Sequence, residues 1–396
     1  MVSNRQLFLR HVAQTSDSSL TFEIERAEGI CFYDPSGKQY IDLVSGVSVS
    51  AVGHGHPAVV AAVKSQADRY MHTMVYGEFV QSPQVRYAEW LVERLPASLD
   101  NVFFVNSGSE AIDGAMKLAK RHTGRGDFRA FENAYHGGTH GALSILGDAK
   151  ARSGSLPLLP GIKHLRFNVE ADLDLIDEYV AGVVVEPIQA EAGIIEPEGD
   201  FLLKVRERCD AVGALLILDE IQTGMGRTGK LFAFEHYGVV PDILCLAKSF
   251  GGGMPLGAFV APKELMGKFT FDPPLGHITT FGGHPVSCAA GLAAQEVVEK
   301  EGLMGHALVM EKQYRAGLKH PLVKEIRGKG LFLAVVLKDG VDVGAFISGA
   351  FENGLVIDRF LFSADSFRIA PPLVITANEV NDSIGQVLKT LDAQLI

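Results

Sequence analysis

"LLILDEIQTGMGRTGKLF", residues 215–232, holds two phosphate-binding spellings at once. Gly224, Gly226 and Gly229 write the GxGxxG of a dinucleotide turn, and Gly224 to Lys230 writes GxxxxGK, most of a P-loop. The flanks speak against both. A dinucleotide turn places its first glycine directly after the strand, whereas "EIQT" intervenes here, and Leu231 stands where a P-loop needs a hydroxyl for magnesium. What the stretch does carry is an apolar strand ending in a carboxylate, Asp219. A buried acid without a cationic partner is expensive, so Asp219 is expected to face a positive group, either an arginine or a protonated ligand nitrogen.

Working outward, short β-branched runs alternate with helical patterns, which predicts a parallel α/β sheet. "NVFFV" (101–105), "FRAFE" (128–132), "AGVVVE" (181–186), "ALLILD" (214–219) and "DILCLA" (242–247) read as buried strands. Each ends in a polar or glycine-containing segment, where open α/β sheets place their ligands. "GSEAIDGAMKLAKRH" reads as a helix with an acid at its start and bases at its end, matching the dipole. After about residue 300 the pattern changes to helix, strand ("LFLAVVL", 331–337), helix and closing helix. This predicts a smaller lobe, joined by the N-terminal residues because "GICFYDPSGKQYIDL" reads as a hairpin with a PSG turn.

Bulk composition narrows the partners. A chain of 396 residues, 47% hydrophobic and 21% charged, can bury a large core. Its net charge of −11 arises from scattered residues, so no basic stripe offers itself to nucleic acid or an anionic membrane. Cys31, Cys209, Cys245 and Cys288 stand far apart without CxxC, which fits a reducing cytoplasm better than a disulfide framework or zinc site. The N-terminus carries charges where a signal peptide needs an apolar core, and no run is long enough for a membrane span. His54 with His56, and His136 with His140, have metal-like spacing but no acidic or sulfur partner beside them, so no metal site is expected.

The strand ends carry the chemistry. "VNSGSEA" (105–111) brings backbone N–H groups and the Ser109 hydroxyl to a helix N-terminus, an anion site or equally an ordinary helix cap. Tyr135, in "AYHG", would stack on a planar ligand or fill a core. Lys248, in "CLAKSFGGG", follows an apolar strand and precedes three glycines, so it is desolvated and closely approachable, as a Schiff-base lysine must be. A phosphate cradle, an aromatic, a strand-end acid and this lysine together describe a pyridoxal phosphate site, in which the acid keeps the pyridine nitrogen protonated.

The ordered segments "NSGSEA", "AYHG", "EPIQAEAG", "DEIQTGMGRTGKLF", "PDILCLAKSFGGG", "TTFGGHP" and "FRIAPPL" resemble the class III pyridoxal phosphate-dependent aminotransferases, over essentially the whole chain. That resemblance implies fold type I of these transferases: an α/β large domain with a mainly parallel seven-stranded sheet at 46–299, and a smaller α+β domain built from 1–45 and 300–396. It makes "GMGRTGKLF" the loop between the Asp219 and Lys248 strands. It implies that Gly108 and Ser109 bind the phosphate, Tyr135 and Ile221 cover the two ring faces, Asp219 pairs with the pyridine nitrogen, Gln222 meets the ring hydroxyl, and Lys248 carries the cofactor covalently. Glu186, opening "EPIQAEAG", falls among the cofactor-binding positions. Thr280 would reach the phosphate of a neighbouring subunit, giving a homodimer with shared active sites. Arg368 would hold a substrate carboxylate, with Glu191 neutralising it while an ω-amine donor is bound.

The activity so implied is ping-pong transamination from an ω-amine or amino acid donor of the N-acetylornithine, 4-aminobutyrate or ornithine type to a 2-oxo acid, 2-oxoglutarate by resemblance. Gly138 departs from the arginine that many such enzymes use for a second carboxylate, leaving Arg359 as a distant candidate. Val47 stands where ornithine enzymes place a tyrosine, which disfavours ornithine. His284 and Ala190 replace a common asparagine and glycine. An aminomutase or racemase would share the cofactor residues, and a nucleotide enzyme would use the Gly224–Lys230 loop instead.

Overall fold

The computed structural model describes residues 2–75 and 77–395. Strands β1 (Arg26–Glu28), β2 (Cys31–Tyr33) and β3 (Gln39–Asp42) precede the seven strands of the main sheet. These are β4 (Asn101–Val105), β5 (Asp127–Phe131), β6 (Ile162–Leu165), β7 (Val180–Val185), β8 (Leu215–Asp219), β9 (Ile243–Leu246) and β10 (Gly257–Ala261). The C-terminal part adds β11 (Val323–Lys329), β12 (Phe332–Leu337), β13 (Leu355–Val356) and β14 (Ser366–Ile369).

The main sheet runs in the order β4-β10-β9-β8-β7-β5-β6. Only β10 is reversed, pairing antiparallel with both β4 and β9, so six strands point their C-terminal ends the same way. Its central strands are apolar up to the terminal Asp219 of β8 because helices cover both faces. Val183, Val185, Leu216, Leu218, Leu244 and Leu246 enter one core, while Ala181, Val184, Leu215, Ile217, Ile243 and Cys245 enter the other. The helix Gly108–Thr123 crosses the second face with a buried stripe of small residues. Gly114 there lies so close to the Phe259 ring that a Cβ would collide with it. Gly124, left-handed at φ 69°, ends the helix.

The N-terminal hairpin belongs with the C-terminal part. β13 adds in parallel to β3 to complete a sheet β1-β2-β3-β13, and β11-β12-β14 form a separate antiparallel sheet. Ile30, Ile41 and Leu43 pack in one core with Leu333, Phe346, Phe367 and Leu391. The helix Pro285–Lys300 lies between the lobes, giving Cys288 to the large core and Ala290, Ala294 and Val298 to the smaller one.

Candidate active site

Five parallel strands bring their C-terminal ends to one cavity of 430 Å³. From the turn after β4 come Asn106 to Ser109, and from the segment after β5 come Tyr135, His136 and Gly137. Glu186 follows β7, Asp219 ends β8, and Lys248 stands two residues beyond β9.

Ser107, not Ser109, caps the helix, accepting from Glu110 N at 3.2 Å. This frees Ser109, whose Oγ accepts only a backbone N–H, that of Gly138, at 3.1 Å. The surrounding glycines keep the cradle open. A Cβ on Gly137 (φ 124°) would strike Ser109 Oγ, and one on Gly108 would lie 2.8 Å from Ile221 Cδ1. The helix N-terminus thus presents N–H groups, a hydroxyl and an uncrowded backbone, which suit a phosphate.

Asp219 is 4% exposed. Its Oδ1 accepts Ile221 N at 3.0 Å, and its Oδ2 meets His136 Nδ1 at 2.7 Å. A carboxylate only accepts, so His136 carries its proton on Nδ1, leaving Nε2 buried and unpartnered. The positive group expected from sequence is therefore not an arginine, and His136, passed over above as half of a metal-like pair, supports Asp219 instead. Glu186 has a second orphaned atom, Oε2, while its Oε1 accepts Ala190 N at 3.3 Å. Burial, reinforced by Asp219 and Glu191, pushes its carboxyl well above the usual carboxylate range.

Lys248 adopts a left-handed backbone, φ 52°, unusual for a side-chain-bearing residue and common at functional sites. Its turn is anchored by Ser249 Oγ donating to Ser48 O and by Gln295 Nε2 donating to Ser249 O at 2.8 Å. Burial pulls the ammonium below the ordinary lysine value, with Glu191, Asp219 and Glu186 opposing and Arg368 assisting. Hydrogen-bond logic turns the Gln222 amide oxygen toward the cations, where it accepts from Lys248 Nζ at 3.1 Å and Arg368 Nη1 at 2.8 Å. Arg368, 1% exposed, also donates through Nη2 to Glu191 Oε1 at 2.8 Å and through Nε to Asp358 Oδ1 at 3.2 Å.

Some candidates lie elsewhere. Val47 does not line the cavity; Val49 does. The reason is a left-handed turn in which Ser45, Gly46, Val47 and Ser48 all have positive φ, a feature no residue type in the stretch announces. Arg359 is exposed and bridges to Phe367, so it does not replace the arginine missing at Gly138. Thr280 is exposed and outside the cavity, its carbonyl accepting from His72 at 2.8 Å. Among the described residues, no group of three or more His, Cys, Asp or Glu could hold a metal ion.

The GMGRTG segment forms turns rather than a strand-to-helix cradle. Arg227, fully buried at its centre, donates to the carbonyls of Leu331 and Pro371 and to Ser45 Oγ. The motif therefore ties the large lobe to the small one, and no phosphate is needed to explain it.

A phosphate cradle facing an enclosed lysine and a strand-end aspartate, on a seven-stranded sheet with one reversed strand, defines a pyridoxal phosphate enzyme of fold type I. The family model for class III aminotransferases matches residues 12–391. The acetylornithine aminotransferase of Methanopyrus kandleri is 42% identical over 92% of this chain and 93% of its own length. That of Caldanaerobacter subterraneus is 40% identical over 91% and 92%. A solved ornithine aminotransferase from Toxoplasma gondii superposes with a TM-score of 0.91 at 31% identity, covering 98% of this chain and 93% of that one. The chain belongs to the class III aminotransferases. It is a transaminase of amino acid metabolism and depends on pyridoxal 5'-phosphate.

Proposed function

We propose that the enzyme takes the amino group of an ω-amine donor of the N-acetylornithine type and passes it to 2-oxoglutarate. The observation that carries this reading is the closure of Arg368 by Glu191 at 2.8 Å. A donor whose reacting carbon bears no carboxylate leaves that ion pair intact, while a 2-oxo acid supplies the carboxylate that takes the place of Glu191. The relatives named for acetylornithine support the donor.

Pyridoxal phosphate, when bound, supplies an aldehyde that captures the amine and a ring that withdraws electrons from the neighbouring C–H bond. The residues then divide the work. Gly108 and Ser109 would hold the phosphate, with Tyr135 and Ile221 on the ring faces. Asp219, oriented by His136, would keep the pyridine nitrogen protonated, and Glu186, whose carboxyl burial holds well above the usual range, lines the same cavity. Lys248 would anchor the cofactor, and its amine, whose pKa burial lowers, would serve as the group that carries a proton at the substrate carbon. Gln222, between Lys248 and Arg368, registers both.

Homodimerisation completes the reading, with Thr280 of each chain serving its neighbour's phosphate. Exposed Phe79, Ile278 and Phe281 surround that segment, and Phe281 packs on His72 at 4.9 Å between centroids. The four buried free cysteines suit a cytoplasmic setting.

Single-turnover absorbance of the cofactor, followed with N-acetylornithine, ornithine, 4-aminobutyrate, lysine and β-alanine, tests the donor. N-acetylornithine should react fastest, and a faster reaction with any of the others overturns the assignment. Turnover without a separate 2-oxo acid would point to an aminomutase.

A further inference from the structure

The Arg368 guanidinium has three nitrogens, and each is held by a different side chain: Nη2 by Glu191, Nη1 by Gln222 and Nε by Asp358. Asp358 and Glu191 are not equivalent. Glu191 comes from the segment after β7, in the large lobe, and its Oε2 is held by Leu361 N at 3.1 Å. Asp358 shares the hairpin of Arg368 itself: its carbonyl accepts Arg368 N at 3.0 Å, and the neighbouring Arg359 bridges to Phe367. Phe360, between them in sequence, sets its ring 4.8 Å from the guanidinium carbon. When Glu191 withdraws, the Asp358 contact therefore travels with the arginine.

A second carboxylate is not needed for charge, because Glu191 already balances the guanidinium. Burial pushes the Asp358 carboxyl up to about 6 against the pull of Arg368, so the arrangement works against ionisation. Its contribution is directional. A planar fork can receive a carboxylate on its Nη1/Nη2 edge or on its Nε/Nη2 edge, and only one of these can face the cavity side lined by Gln222 and Glu191.

We propose that Asp358 is a positioning residue for substrate-carboxylate recognition: it occupies the Nε edge of Arg368, so that an incoming carboxylate is received only on the Nη1/Nη2 edge. This rests on the reading of Arg368 as the carboxylate receptor. The test compares wild-type holoenzyme with Asp358→Ala, Asp358→Asn and Asp358→Glu. Binding of glutarate, a non-reacting dicarboxylate, is measured by calorimetry, alongside the KM for 2-oxoglutarate and the donor half-reaction with N-acetylornithine.

Loss of the acceptor in Asp358→Ala should raise the glutarate Kd and the 2-oxoglutarate KM about tenfold, the size of one charge-assisted contact. The donor half-reaction, which leaves Arg368 closed, should stay within about twofold. Asp358→Asn keeps the acceptor and should bind glutarate as the wild type does. Asp358→Glu shifts the acceptor by a methylene, should weaken binding as alanine does, and carries the comparison if the alanine variant does not fold. Unchanged glutarate affinity in both the alanine and glutamate variants, or equal weakening by asparagine and alanine, overturns the proposal. A wild type that binds glutarate but transfers no amine fails the functional reading instead, and the calorimetric comparison still decides the role of Asp358.

Discussion

At the scale of single residues, two positions decide the chemistry. Asp219→Asn keeps the shape at the end of β8 but loses the charge that, on the proposed mechanism, would retain the ring proton. Proton removal in the donor half-reaction should fall roughly a hundredfold or more, as when one preorganised electrostatic partner is removed. Near-normal single-turnover rates would show that another group protonates the ring. Borohydride reduction of the holoenzyme should fix the cofactor on Lys248, and peptide mapping to any other lysine would refute that assignment. Glu220, next to Asp219, is raised to about 7 by burial although Thr223 Oγ1 and the N–H of Phe234 donate to it. Its folded value lies above the unfolded one near 4.5, so the native state binds the extra proton in that window. Wild-type stability relative to Glu220→Gln should therefore rise as pH falls from 7.5 toward 5, by up to about 3 kcal/mol, read from urea midpoints at each pH. Asp219 and Lys248 were legible because each follows an apolar strand that gives a charge no reason to be there. His136 and Asp358 were not: each acts through a contact with a distant or turned-back segment, which no local pattern records.

At the scale of elements, the glycines of GMGRTG serve packing. Gly226 and Gly229 have φ of 92° and 87°, and a Cβ on Gly229 would enter the Leu308 side chain. Gly229→Ala should cost about 2 kcal/mol or more, combining left-handed strain with overpacking, and should lower the urea midpoint. Arg227→Met leaves the carbonyls of Leu331 and Pro371 without their donor and should cost about 2–4 kcal/mol. Pyridoxal phosphate should raise the melting temperature of the apoenzyme while ATP and NAD leave it unchanged; stabilisation by a nucleotide would restore the P-loop reading. Strands β4, β5, β7, β8, β9 and β12, the helix after β4 and the Cys31–Asp42 hairpin were legible from periodicity and turn chemistry, whereas β6, β10, β11 and β14 were not singled out. Pairing of β13 with β3 was not, because two residues carry no period, nor was the left-handed turn at Ser45–Ser48 that brings Val49 rather than Val47 to the cavity.

At the scale of the whole molecule, the proposed homodimer turns on the segment that holds Thr280. Thr280 is exposed and lies in a segment flanked by Ile278 and Phe281, which are 51% and 54% exposed. Across a groove also lined by Thr279 and Gly282 stands Phe79, 57% exposed. In the proposed homodimer, apolar side chains so grouped would be covered by the partner. On the proposed reading, a twofold axis there would bring each Thr280 to the partner's cavity and would make dimerisation a condition of cofactor retention. Replacing Ile278 and Phe281 by Asp together should yield monomers in sedimentation velocity, and those monomers should lose pyridoxal phosphate on gel filtration. Thr280→Ala separates the two effects: it should remain dimeric yet hold the cofactor more weakly, because it loses one hydroxyl and no apolar surface. Monomers that keep wild-type cofactor affinity and turnover would show that one chain builds a complete site, and would detach Thr280 from the phosphate.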